Sequence, residues 1–296
     1  MQAEVRPLPP FEYVAPASLR EALLLLREHK GKARLLSGGT DLIPKLKKRA
    51  ELAEVVIDLN RIPELAGIDL ENGCLKIGAL TRQEEIRKSP LVKEKAPALV
   101  EALSIMASTP VRHRGTLAGN LCSASPAADT APPLLVLDAA VKIQSATSER
   151  RVPLSEFFAG PGRTVLEREE LLTAVLIPVQ EGASAFLKLG RRKAFTLSIV
   201  SAAAFVRTRQ GKIEEVRVAL GAVGPTPIRG RSVEASLRGA AATMEKIAQA
   251  ADAVKGDVKP ISDVRASAEY RREMSCVLAR RVLEKVVEGG ENAHRV

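Results

Sequence analysis

Two glycine-containing segments constrain this chain most strongly: SGGTD, from Ser37 to Asp41, and GTLAGN, from Gly115 to Asn120. Glycine lets the backbone approach a ligand without a Cβ in the way, so that consecutive N–H groups can point at phosphate oxygens. Taken alone, the first segment also fits an ordinary turn. The second continues through small and polar residues to Asp129, and this smallness indicates close approach of a ligand.

The glycine pattern excludes the two commonest nucleotide-binding motifs. No GxxxxGK[ST] motif occurs, so a mononucleotide P-loop is excluded, and no GxGxxG follows a predicted strand, which argues against the classical dinucleotide fold. A nucleotide bound by these two segments therefore requires a different fold.

Length and composition indicate a folded protein of about two compact units. The chain has 296 residues, of which 46% are apolar and 27% charged. No apolar run reaches the roughly 18 residues of a membrane helix, which argues against membrane insertion. The first ten residues lack the pattern of a secretory signal, so we expect a cytoplasmic protein. The three cysteines lie far apart, and we expect no metal site within this chain.

The formal charge of +10 fits nucleic acid, an anionic ligand or an acidic partner subunit. Aromatic residues make up only 3% of the chain and tryptophan is absent, so stacking platforms for single-stranded nucleic acid have little material. Nucleic-acid binding is therefore disfavoured.

Secondary-structure patterns predict an α+β protein whose strands precede most of its helices. A first β-α-β unit begins with an extended Phe11 to Val14, followed by a helix that Ser18 and Glu21 cap. Later segments predict a loop from Gly115 to Asp129, then strands and a helical carboxyl-terminal part. The predicted strands are Ala33 to Leu36, Val55 to Leu59, Leu134 to Ile143, Leu171 to Ile177, Ala185 to Leu189, Leu197 to Val206 and Ile213 to Ala222.

Two longer stretches resemble the FAD-binding medium subunits of molybdenum hydroxylases, the family of xanthine dehydrogenase and carbon monoxide dehydrogenase. These are LLSGGTDLIPKLK from Leu35 and VRHRGTLAGNLCSASPAADTAPPLLVLDAAV from Val111, and the likeness covers nearly the whole chain. The resemblance implies a two-subdomain FAD-binding fold of the PCMH type, similar to vanillyl-alcohol oxidase, plus a carboxyl-terminal three-stranded sheet with a helical bundle. The implied divisions are 1–57, 58–178 and 179–296.

The resemblance also implies roles for individual residues. Ser123 and Asp129 match positions on the ribityl and adenosine side of FAD, Leu172 matches an apolar residue near the isoalloxazine, and Lys188 matches a lysine near its polar edge. Arg191 and Arg192 could serve the same electrostatic role as Lys188, but they are rather expected to face solvent or a partner. The FAD diphosphate is expected at Ser37, Gly38, Gly39, Thr40, Asp41, Gly115, Thr116, Ala118, Gly119 and Asn120, with alanine at 118 where relatives often have glycine.

The function that the resemblance implies is electron transfer within a larger enzyme. FAD on this chain would receive electrons from an iron–sulfur small subunit, which is supplied in turn by a molybdopterin-containing large subunit, and pass them to an external acceptor. No catalytic residue and no metal ligand are expected on the chain itself. The alternatives are a self-sufficient flavin oxidoreductase of the same fold and a basic nucleic-acid-binding protein.

Overall fold

The structure, a computed structural model, describes residues 7–192 and 195–293. Its first sheet has three parallel strands in the order β1-β3-β2. The helix after β1 begins where the sequence predicts, because the Ser18 hydroxyl accepts a hydrogen bond from the Glu21 N–H at 3.3 Å. The elements are β1 (Glu12–Val14), α1 (Leu19–His29), β2 (Ala33–Leu36), α2 (Leu42–Lys47) and β3 (Val55–Asp58).

The second sheet is antiparallel, with five strands in the order β4-β5-β10-β6-β7, and a two-stranded ribbon, β8-β9, accompanies it. Its strands are β4 (Ile68–Glu71), β5 (Cys74–Gly78), β6 (Ala140–Gln144), β7 (Glu149–Pro153), β8 (Phe158–Gly160), β9 (Arg163–Thr164) and β10 (Leu171–Pro178). Its helices are α3 (Gln83–Lys88), α4 (Pro90–Lys95), α5 (Pro97–Ile105), α6 (Thr109–Arg114), α7 (Leu117–Cys122), α8 (Ala131–Val136) and α9 (Leu154–Phe157).

Two predictions for this region are wrong. The predicted strand from Leu134 to Ile143 begins inside α8, and the strand β6 starts only after Asp138, whose φ is +49°. A short, continuous apolar run does not distinguish a buried strand from a buried helix, and two prolines fit the first turn of a helix, where no N–H is needed. The predicted loop from Gly115 to Asp129 contains α7, because the Thr116 hydroxyl caps a helix there.

The third sheet is antiparallel, in the order β11-β12-β13-β14. Three long strands form it as expected, and a two-residue fourth strand pairs with Ala219 and Leu220. Carboxyl-terminal helices cover one of its faces, and α5 and α8 pack against the other. The elements are β11 (Ala183–Gly190), β12 (Ser198–Arg209), β13 (Lys212–Gly221), β14 (Ile228–Arg229), α10 (Arg231–Leu237), α11 (Met244–Ala251) and α12 (Ala268–Ala293).

Both faces of this third sheet are buried. Along β12, Ala203 and Phe205 pack into the core of the first 180 residues, while Ala202 and Ala204 pack against the carboxyl-terminal helices. Successive side chains of a strand point to opposite faces, so one strand serves two cores. The three sheets use separate stretches, 12–58, 68–178 and 183–229; the boundaries predicted after residues 57 and 178 stay a prediction.

A buried ion cluster fixes the helix that leads into the second glycine segment. Glu84 on α3 accepts hydrogen bonds from Arg87 at 2.6 Å and from Arg112 on α6 at 3.0 Å. Hydrogen bonding from Arg87, against the opposing effect of burial and with help from Arg112, lowers the pKa of Glu84 from 4.5 to about 2. The ionised carboxylate therefore ties α3 to α6.

Replacing Glu84 by glutamine is expected to destabilise the protein more at pH 7 than at pH 3. The pKa is lower in the folded state, so the stabilisation is complete above about pH 4.5 and is lost as the pH falls towards 2. Urea unfolding of wild type and Glu84→Gln at both pH values measures the difference. Glu214→Gln, which breaks an exposed pair with Arg207, is the control. An equal loss for Glu84→Gln at both pH values would contradict the assignment.

Candidate functional site

The two glycine segments, 79 residues apart at Ser37 and Thr116, meet in the structure. Their hydroxyl oxygens lie 3.3 Å apart. The backbones are so close that a Cβ on Gly38 would lie 2.3 Å from the Arg114 carbonyl oxygen and 2.9 Å from the Gly115 Cα. Glycine at position 38 is therefore required by the contact between the two segments.

The first segment presents a row of free donors. Among the described residues, none of the N–H groups from Gly38 to Asp41 donates to a protein acceptor. Gly39 makes the turn, with a φ of +74° that favours glycine. Consecutive backbone N–H groups of this kind form a concave site for an anion. The segment therefore fits the diphosphate of a dinucleotide.

The second segment closes the other side of this site. The Thr116 hydroxyl accepts a hydrogen bond from the Gly119 N–H at 3.1 Å, and the Asn120 side-chain oxygen accepts one from Thr130 at 2.6 Å. The Ser123 hydroxyl donates to the Asp41 carboxylate across the junction at 2.6 Å. The side chains of Thr116 and of the nearby Ser123 thus contact the first segment directly, and Thr130 holds the Asn120 side chain in place.

A cavity of about 1010 Å³ opens at this junction, a volume at the upper end for small-molecule sites. Its wall includes residues from all three sheet regions. Ten of the fourteen predicted site residues line it: Ser37, Gly38, Gly39, Thr40, Asp41, Thr116, Gly119, Asn120, Ser123 and Asp129.

The other four predicted residues lie behind the wall. Gly115 supports Gly38 through the backbone, and Ala118 is buried in the core. Leu172 is 4% exposed and pairs with Ile143 in the second sheet. Lys188 approaches the cavity only indirectly, through the side chain of Asp129.

Asp129 and Lys188 form a buried ion pair beside the cavity. The Lys188 Nζ lies 2.6 Å from an Asp129 oxygen and also donates to the Thr196 carbonyl at 2.8 Å. The Ser198 hydroxyl donates to the other Asp129 oxygen. The side chains of Asp129 and Lys188 are 6% and 5% exposed. The lysine therefore fixes a cavity carboxylate and connects it to the third sheet.

The carboxyl-terminal part contributes a basic stretch to the cavity wall, of which the sequence analysis considered Arg191 and Arg192 but not Arg265. Arg191 and Arg192 are exposed and line the cavity together with Arg265. The Arg192 guanidinium lies 5.6 Å from the ring centroid of Phe195, another wall residue. The arginine pair was visible in the sequence, whereas no local pattern connects it to Arg265, more than seventy residues away.

Gln83 is a second residue that the sequence patterns missed. It lines the cavity, is 4% exposed, and donates to the Thr116 carbonyl at 3.3 Å. Its side-chain oxygen is buried and has no partner among the described residues. A buried, unpartnered acceptor is costly, so a ligand donor at this position would be favourable. Gln83 is the first residue of α3, and a position at a helix start gives no sign of such a role.

Cys122 also lines the cavity. It can be reached through the cavity, yet burial among protein atoms raises the pKa of its thiol to about 12.

Within the described ranges, no three His, Cys, Asp or Glu side chains group closely enough to hold a metal ion. No helix among residues 7–192 and 195–293 is both long enough and apolar enough to span a bilayer.

Known proteins resemble this chain along most of its length. Residues 9–180 match the family described as the FAD-binding domain in molybdopterin dehydrogenase, and residues 185–286 match the carbon monoxide dehydrogenase flavoprotein C-terminal domain. The carbon monoxide dehydrogenase medium chain of Hydrogenophaga pseudoflava is 35% identical, over 93% of this chain and 96% of its own. The xanthine dehydrogenase FAD-binding subunit of Escherichia coli O157:H7 is 33% identical, over 93% and 95%.

A solved structure shows the same architecture. Carbon monoxide dehydrogenase from Hydrogenophaga pseudoflava contains a chain that superposes with a TM-score of 0.91 at 34% identity, covering 94% of this chain and 98% of its own.

Proposed function

The chain belongs to the family of FAD-binding subunits of molybdopterin dehydrogenases, and on this basis we propose that it passes electrons from iron–sulfur centres through FAD to an external acceptor. It is an oxidoreductase subunit, and its cofactor is FAD. The observation that carries the proposal is the meeting of two distant glycine segments around free backbone donors at one cavity.

The residues present fit FAD, and the proposal assigns them as follows. The diphosphate is held by backbone N–H groups of the first segment. Thr116 and Asn120 of the second segment hold it from the other side. Ser123 and Asp129 bind sugar hydroxyls, since a hydroxyl and a carboxylate both accept hydrogen bonds from alcohols. The binding set is Ser37, Gly38, Gly39, Thr40, Asp41, Gly115, Thr116, Ala118, Gly119, Asn120, Ser123 and Asp129, with Leu172 and Lys188 supporting it from behind the cavity wall.

Bound FAD supplies the ability to exchange electrons singly or in pairs. The chain's own contribution is electrostatic. Arg191, Arg192 and Arg265 place positive charge in the cavity wall, which favours an increase of negative charge on the bound cofactor. The Asp129–Lys188 pair holds a fixed polar group beside it.

The proposal includes an iron–sulfur small subunit and a molybdopterin-containing large subunit as partners. Its support is that the relatives are named as a medium chain and an FAD-binding subunit. The formal charge of +10 suits acidic companion chains. We place the protein in the cytoplasm, since all three cysteines are free thiols.

Purified chain is expected to show visible flavin absorption, and denaturation is expected to release FAD because no covalent link is proposed. Mixing it with the products of the neighbouring genes should give a complex on size exclusion. A dithionite-reduced iron–sulfur subunit, freed of excess reductant, should then bleach the flavin absorption. Steady-state oxidase activity of the isolated chain would support a self-sufficient enzyme instead, and a salt-sensitive shift of DNA without flavin would support nucleic-acid binding.

A further inference from the structure

Two backbone carbonyls, each directly before a glycine of the site, are hydrogen-bonded from outside the cavity. The Ser37 carbonyl, before Gly38, accepts a hydrogen bond from the Asn60 side chain at 3.0 Å. The Arg114 carbonyl, before Gly115, accepts one from the Arg82 guanidinium at 2.7 Å. Neither donor side chain lines the cavity.

The two donors are joined to each other. The second arm of the Arg82 guanidinium donates to the side-chain oxygen of Asn60 at 2.5 Å. Asn60 is fixed in turn by Asp58, which accepts from its backbone N–H at 2.9 Å, while the Tyr13 hydroxyl donates to the other Asp58 oxygen at 2.6 Å. One continuous hydrogen-bonded chain therefore runs from the first glycine segment to the second.

This series of hydrogen bonds also sets the direction of a backbone N–H group, that of Gly38, which faces the ligand. In a trans peptide the carbonyl and the N–H point in opposite directions. Because Asn60 holds the Ser37 carbonyl on the outer side, the N–H of Gly38 points away from Asn60. Gly38 lines the cavity and its N–H has no acceptor among the described residues.

We propose that Arg82 and Asn60 are positioning residues for the FAD diphosphate, holding the two glycine segments at a fixed separation and turning the Gly38 N–H towards the ligand. The inference rests on the proposed function, because it takes FAD as the ligand of the two segments. Neither side chain lines the cavity. Asn60 acts through the Ser37–Gly38 backbone, which does line it, and Arg82 acts through Asn60 and through the Arg114 carbonyl behind the wall. The planar guanidinium is needed because its two arms reach two acceptors at once.

The test uses the full chain freed of flavin and titrated with FAD, with binding followed by flavin fluorescence. Arg82→Gln and Asn60→Ala should each weaken FAD binding about tenfold or more, the loss expected for a hydrogen bond to a charged group. Arg82→Lys should weaken it as well, because an ammonium keeps the charge but not the paired arms. The double variant should bind no worse than the weaker single variant, because both residues belong to one chain of contacts.

Stability and salt dependence separate positioning from other roles. Thermal unfolding of the flavin-free variants should match wild type, and the salt dependence of FAD binding should not change, since no direct contact with phosphate is lost. Arg150→Gln is the matched control, because the Arg150 guanidinium likewise bonds one backbone carbonyl and one side-chain acceptor group, at the edge strand β7 and outside the cavity wall. It should leave FAD affinity unchanged.

Wild-type affinity in folded Arg82→Gln, or in Arg82→Lys, would overturn the inference and leave the proposed function standing. Should Arg82→Gln fail to fold, wild-type affinity in Asn60→Ala would have the same meaning. If the wild-type chain bound no FAD, both the inference and the proposed function would be overturned. The failure of the inference alone can therefore be distinguished from the failure of the proposed function.

Discussion

Alanine in place of Gly38 is expected to weaken FAD binding about a hundredfold, equivalent to ~3 kcal/mol, the upper range for overpacking a tight contact. The added Cβ would lie 2.3 Å from the Arg114 carbonyl oxygen, and both this atom and the nearby Gly115 Cα are backbone. The two glycine segments must therefore separate. FAD titration of the flavin-free chain, together with the flavin content of purified protein, measures the effect.

Gly256→Ala is the matched control for this substitution. A Cβ at that position meets nothing within 4 Å, and the variant should bind FAD as wild type does. Equal FAD affinities in Gly38→Ala, Gly256→Ala and wild type would show that contact between the segments is irrelevant to binding.

Methionine in place of Lys188 is expected to destabilise the protein by about 3–5 kcal/mol, the usual cost of leaving a buried charge without its partner. The substitution keeps the apolar stem of the side chain but removes one of the two groups that donate hydrogen bonds to Asp129. The Asp129 carboxylate, which is 6% exposed, would keep only the hydrogen bond from the Ser198 hydroxyl. Urea unfolding of the flavin-free chain at pH 7 gives the change in free energy.

Lys285→Met provides the comparison, because Lys285 pairs with Glu101 at the surface. The side chains of Lys285 and Glu101 are 45% and 35% exposed. Its loss should cost about 0–1 kcal/mol. Asp129→Asn added to Lys188→Met should restore part of the stability by removing the charge. If Lys188→Met costs no more than Lys285→Met, the buried pair does not stabilise the fold.

Most of the site could be predicted from the sequence, because its essential residues lie in two short segments whose residue types are suited to binding an anion. Glycines beside hydroxyl residues mark backbone that can meet an anion, and the family resemblance brought Ser37 to Asp41 and Gly115 to Asn120 together as one site. The helix cap at Ser18 and the strand from Ala33 to Leu36 were equally local, and the structure confirms both.

What sequence reasoning missed depends on contacts between distant residues. Asn60, Arg82 and Arg114 share no spacing that a periodic pattern could reveal. Arg82 and Arg114 come together where α3 packs against α6, and Asn60 reaches Arg82 from the turn that follows β3. The sequence predicts a strand at the buried run from Leu134, because burial on all sides removes the amphipathic pattern that separates helix from strand. The position of Lys188 behind Asp129, likewise, is set by packing between sheets.

The double burial of β12 restricts how this protein can change in length. Inserting one residue in the middle of the strand would exchange Phe205 and Ala204 between the two cores they fill, so both halves of the molecule would be mispacked at once. The turn between β12 and β13, at Gln210 and Gly211, is exposed and has positive φ at both positions. Natural gains and losses of residues in this hairpin should therefore concentrate at its tip, while the strand itself diverges by substitution alone.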